Sequence, residues 1–214
     1  MPRPSSIFKH LLLLVIAAAG IAHAQTLPPQ WRKINNDPDG NYQATLSADA
    51  AFEGHYGASV RRVTPAKGHN EFGGFIQIAR AAPWRGQRVL MRAWIKTIQA
   101  DAGSMWLRID AADNYLLMDN MGNRTIKGTT GWSQYEIVMD VPQRAEYLVY
   151  GVFLIGGGVL DVDNVEFMPA PPGAKTTTLY NEGYMKLKHG QIYTPPRIVL
   201  EAPSNLDFEQ PPAP

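Results

Sequence analysis

Residues 160–167 read "LDVDNVEF", Leu160 to Phe167. Side chains of a strand alternate between its two faces, so Asp161, Asp163, Val165 and Phe167 fall on one side, and Leu160, Val162, Asn164 and Glu166 on the other. If Val165 and Phe167 enter a core, two carboxylates accompany them. The alternation therefore predicts a strand with an acidic site at its rim, and it raises the question of what those acids meet.

The segments before it carry the same period. "NYQATLSAD" (41–49), "GASVRRV" (57–63), "GFIQIAR" (74–80), "RVLMRAWIKT" (88–97), "SMWLRID" (104–110), "YLLMDN" (115–120), "SQYEIVMDV" (133–141) and "YLVYGVFLI" (147–155) are rich in β-branched and aromatic residues. Turn signals separate them at Pro83 to Gly86, Asp101 to Gly103, Asp113 to Asn114, Gly128 to Gly131 and Gly156 to Gly158. Helical periodicity is nearly missing after Ala24. The pattern predicts an all-β fold, a two-sheet antiparallel jelly-roll sandwich over residues 25–168. From "PAPPGAK" (169–175) onward, residues 169–214 read as a proline-rich tail with a hairpin around His189 and Gly190.

Residues 1–24 have the form of a secretory signal peptide: Arg3 and Lys9, then "LLLLVIAAAG", then "AHA" ending at Ala24. Two of the 20 basic residues belong to that leader and none of the 19 acidic ones do, so without it the formal net charge moves from +1 to −1. No basic field of the kind that nucleic acids need is present, and no later apolar run is long enough to span a membrane. The chain has no cysteine, so neither disulfides nor a thiol nucleophile enter the argument. The expected location is the periplasm or beyond.

The ordered series "GAS" (57–59), "FIQI" with Gln77, "RVLMRAWIKT", "WSQYEIVMDVP" and "DVDNVEF" resembles the galactose-binding-like jelly rolls that include many carbohydrate-binding modules of bacterial secreted proteins. The resemblance covers about Trp31 to Phe167, and similar domains occur attached to bacterial peptidases and regulators. It implies a calcium ion at one edge of the sandwich, with Asp163 as the acid of the closing strand and Asp161 beside it. The acid of the opening "N-x-x-F-E" strand has its match at the other end of the chain, in "NLDFE" (Asn205 to Glu209), which would have to fold back to bring Glu209 near Asp163. The alternative is that Asp161 and Asp163 accept hydrogen bonds from a turn.

A ligand face is expected on the reverse sides of two strands. Leu90, Arg92, Trp94 and Lys96 oppose the apolar set of one, and Ser104, Trp106, Arg108 and Asp110 that of the other. A hairpin through "QADAGS" would merge them into one patch edged by Asn120 and Arg124. Indoles offer platforms for sugar rings, and the flanking charges would fix hydroxyls. The competing reading has the arginines stacked on the tryptophans simply to cover a sheet. No catalytic pattern emerges. His55, His69 and His189 lack zinc spacing, Ser59 lacks a nucleophile elbow, "LIGGGVL" (154–160) lacks a phosphate-loop lysine, and Asp110, Asp119 and Asp140 stand at strand ends. The expectation is a non-catalytic module for a glycan or similar small ligand, with a protein-interaction or structural domain as the alternative.

Overall fold

The computed structural model describes residues 25–36, 39–65, 71–185 and 192–212. The signal-peptide segment, His69, His189 and the expected hairpin at 189–190 lie outside them. The described residues form eleven strands: β1 (Gln25–Thr26), β2 (Arg32–Asn35), β3 (Tyr42–Ser47), β4 (Gly57–Arg62), β5 (Phe72–Arg80), β6 (Arg88–Asp110), β7 (Tyr115–Asp119), β8 (Ile126–Asp140), β9 (Tyr147–Ile155), β10 (Val159–Pro169) and β11 (Tyr180–Asn181). All strand pairings are antiparallel. Among the described residues there is no α-helix, only two short 3-10 turns, Ala48–Ala50 and Ala82–Trp84.

The sandwich is organised by β6, which is 23 residues long. Its first half lies between β10 and β8, and its second half between β9 and β7. One layer therefore runs β1-β3-β4-β10-β6-β8, and the other β2-β5-β9-β6-β7-β11. "QADAGS" is not the hairpin turn expected from its Asp and Gly content. The strand continues through it and bends from one layer into the other. Gln99 takes a positive φ of 49° at the bend, and Asp101 binds the β9–β10 turn, donating to Gly157 O (3.1 Å) and accepting from Gly157 N (2.7 Å). Gly128 to Gly131 is likewise no turn but part of β8.

Odd-numbered residues of β6 face the core along both halves: Val89, Met91, Ala93 and Ile95, then Met105, Leu107 and Ile109, all fully buried. They pack with Leu160 and Val162 of β10, Tyr150 and Val152 of β9 and Ile137 and Met139 of β8 into one cluster. Burial on this scale, at about 25 cal/mol per Å² of apolar surface, supplies the stability of a chain without cross-links.

The register of β10 against β6 sets the direction of the two acids. Asp163 stands opposite Trp94, but Glu166 stands opposite Arg92, so three steps along β10 match two along β6. This bulge is centred on Asn164, whose φ is +46°. One extra residue exchanges the faces. Leu160 and Val162 point inward before it, and Val165 and Phe167 pack on the core after it. Asp161 and Asp163 accordingly point outward, and the shared face expected from strict alternation does not exist.

The C-terminal segment returns to the sandwich. Leu200 bridges to Ala79 in parallel, with Arg80 N donating to Leu200 O (2.8 Å) and Leu200 N to Ile78 O (2.9 Å). Phe208 is fully buried and packs, tilted by 34°, with its ring centre 5.1 Å from that of Trp31, whose indole N–H donates to Asn205 O (3.0 Å). Val165 N donates to Leu206 O (3.0 Å), which lays "NLDFE" beside β10 as irregular chain.

Candidate functional site

Because the halves of β6 belong to opposite layers, their outward faces look away from each other. Trp94 and Trp106 do not share a patch, which corrects the single ligand face expected from a hairpin. Each face has its own chemistry.

On the outer side of the β5-β9-β6-β7 layer, a cleft of about 270 Å³ is lined by Ile34, Phe72, Trp106, Met118, Asn120 and Phe153. Phe153 meets Trp106 edge-on at 6.2 Å and Phe72 at 6.1 Å, giving three rings around one hollow. Gly74, opposite Phe153, makes the arrangement possible, because a Cβ there would lie 2.8 Å from Phe153 Cβ. Asn120 Oδ1 accepts from Gly122 N (3.0 Å), which orients the amide and leaves its NH₂ group as a donor. Trp106 Nε1 and Ser104 Oγ on the same face are buried and have no hydrogen-bond partner among the described residues.

Of the expected basic residues, Arg108 stands beside this cleft. Arg108 lies 5.5 Å over Trp106 and 4.5 Å over Tyr115, and holds Asp110 by two bonds of 2.8 Å. Burial raises the Asp110 carboxyl above the usual carboxylate range, against the opposing pull of Arg108 and of the hydroxyl donated by Tyr193 (3.0 Å). Arg124 grips Asp119 at 2.7 and 3.1 Å. The third acid considered, Asp140, is held by Arg88 at 2.7 and 2.9 Å, and that bond lowers its pKa. The sequence reading found Trp106 and Asn120 but missed Phe153, whose outward position in "YLVYGVFLI", between inward Val152 and Leu154, was the available signal.

On the opposite outer face, Trp94 is covered by Phe52, stacked at 4.1 Å and 15°. Arg92 is paired with Glu166. Lys96 lies 4.9 Å over Trp132, donates to Asp49 O (2.9 Å) and pairs with Asp161 at 3.3 Å. The covering segment, 51–56, is fastened by two carboxylates. Asp163 Oδ2 accepts from Phe52 N (2.8 Å) and Glu53 N (3.2 Å), while its Oδ1 accepts from Asn164 N (2.7 Å). Glu209 Oε1 accepts from His55 N (2.7 Å) and Tyr56 N (2.9 Å). Burial pushes Asp163 up to about 6, and the charge of Glu209 adds to the rise while the three N–H groups oppose it.

Asp163 and Glu209 thus meet around one loop, but the donor set does not fit calcium. That ion takes about six to eight oxygens. Here N–H groups point at the carboxylates, Asp161 is spent on Lys96, and among the described residues no three His, Asp or Glu side chains are grouped to hold a metal. Of the two aspartates that the alternative reading has accepting from a turn, Asp163 binds backbone N–H groups, whereas Asp161 pairs with Lys96; Glu209, outside that reading, also binds backbone N–H groups.

No family model matches the chain. An uncharacterized HTH-type transcriptional regulator, YbfP of Bacillus subtilis (strain 168), is 36% identical over 143 residues, which are 65% of this chain and 43% of that protein. The chain therefore spans less than half the length of this curated relative. Among solved structures, the Stig cyclase Fisc from Fischerella sp. TAU superimposes with a TM-score of 0.50 at 16% identity, over 70% of this chain and 90% of that one. The chain has an all-β, antiparallel jelly-roll fold. A Family 16 Carbohydrate Binding Module-2 is also similar, with a TM-score of 0.45 at 16% identity over 61% of this chain and 89% of that one. Within the jelly roll, the Trp106 cleft and the loop-covered face are the two places where side-chain chemistry concentrates.

Proposed function

We propose that this jelly roll is an exported, non-catalytic binding module that takes a glycan or similar small ligand in the Trp106 cleft. The observation that carries the reading is the convergence of three aromatic rings and one oriented amide, from Trp106, Phe153, Phe72 and Asn120, on one hollow. A sugar ring has an apolar C–H face that lies on such rings, and its hydroxyls accept from an amide NH₂. Arg108 lies over the Trp106 ring and is itself held by Asp110. Export rests on the leader, Arg3 to Ala24.

The reading is tested by screening the protein against a glycan array and measuring the best hit by calorimetry. Trp106→Ala should lose at least about tenfold in affinity, the scale of one aromatic platform, with its melting midpoint close to the parent's. Undiminished binding by a folded Trp106→Ala protein would remove the cleft from the proposal. A second reading is favoured by the curated relative, a longer chain named as a regulator, in which a domain of this kind is one part of a larger protein. On that reading the module docks a protein partner, and the array stays blank while a partner chain is recovered through the same face.

A further inference from the structure

The face opposite the Trp106 cleft holds a groove of about 300 Å³ beside the Lys96–Asp161 pair. Its floor is a row of residues in register across four adjacent strands: Thr45 of β3 opposite Ser59 of β4, Ser59 opposite Asp161 of β10, and Asp161 opposite Lys96 of β6. Beside it runs a second row, Gln43, Arg61, Val159 and Ile98. One wall is the Ala48–Ala50 turn, which lies directly on the sheet because Gly57 has no side chain. A Cβ at Gly57 would overlap the Ala50 carbonyl.

Three features of the groove select a ligand. Among the described residues the Thr45 and Ser59 hydroxyls have no hydrogen-bond partner, and next to them stand an acceptor, Asp161, and a donor, Lys96, already matched to each other at 3.3 Å. A hydroxyl both donates and accepts, so this floor suits a run of vicinal hydroxyls. Arg61 is exposed and has no acidic partner among the described residues, whereas its neighbour Arg62 is paired with Glu71. Its row contains no carboxylate, while the carboxylate of Asp161 lies in the neighbouring row, paired with Lys96. Ile98, 46% exposed, gives the same end of the groove an apolar surface for ring C–H groups.

We propose that this groove is a second binding site, for a sugar unit carrying one carboxylate: hydroxyls along Thr45, Ser59 and Asp161, and the carboxylate paired in bidentate fashion with Arg61. It is independent of the Trp106 cleft, and its test is made in the presence of that cleft and without it. Amide spectra of the full chain are followed during titration with sodium galacturonate and, at matched ionic strength, with galactose. Galacturonate should move the signals of residues 45, 59, 61 and 161 and bind about fivefold more tightly than galactose, the scale of a solvent-open arginine–carboxylate pair. Arg61→Ala should abolish that preference, and Trp106→Ala should leave the shifts in place. The proposal is overturned if neither sugar moves those signals, if galactose binds as well as galacturonate, or if the preference survives in Arg61→Ala.

Discussion

Asn164 decides which way two acids point. Its φ of +46° is a conformation that asparagine tolerates better than most residues and β-branched residues hardly at all. Asn164→Val should therefore lower stability by about 1–3 kcal/mol in denaturant titration, while Asn164→Gly should stay nearer the parent, having lost only the amide bond to Glu53 (3.1 Å). Asp163, one residue earlier, gives a pH signature. Its folded pKa of about 6 lies above the ordinary 3.8, so between those values the folded chain holds a proton that the unfolded chain has released. This group's contribution to stability consequently rises as pH falls from about 6 towards 4, and is lost as pH rises through 6. Asp163→Asn should flatten that part of the melting-versus-pH curve; a curve of unchanged shape would show that the group does not titrate there. The strand that carries both aspartates was legible, but not their direction, because period-two reasoning cannot register one inserted residue.

Element by element, the misreadings have one cause. "QADAGS" and "GTTG" look like turns by composition, yet in a sandwich where one strand serves both layers, small and polar residues are also what a bend requires. The alternation of "VLMRAWIKT" and of "SMWLRID" was read correctly on each side, and the error lay in joining them as neighbours. The 51–56 loop is the element whose behaviour follows most directly from its fasteners. Glu209→Ala frees the N–H groups of His55 and Tyr56, so hydrogen exchange across 52–56 should accelerate by about tenfold or more, with the core strands unaffected. Since N–H groups occupy the positions facing both acids, calcium and chelator should leave the melting midpoint where it is. A rise with calcium, lost in Asp163→Asn, would reverse the assignment of those carboxylates.

For the molecule as a whole, the tail belongs to the structure that the strands enclose. Phe208 sits between Trp31 and Phe75 with no exposed surface, and Gln77 accepts from Ser204 N (2.9 Å) and donates to Ser204 O (2.8 Å). Phe208→Ala should cost about 3–5 kcal/mol, the range for a large ring removed from a packed site, and a chain ending before residue 199 should be less stable still. The return of "NLDFE" was readable because its residues match a motif displaced from its usual place. Its core role was not, since a lone Phe amid prolines has no periodicity to declare it buried. The clasp between Trp31 and this segment spans 174 residues, a separation that makes it a late event. Made from its N-terminus forward, the chain cannot close its interior until the stretch around Phe208 has been added.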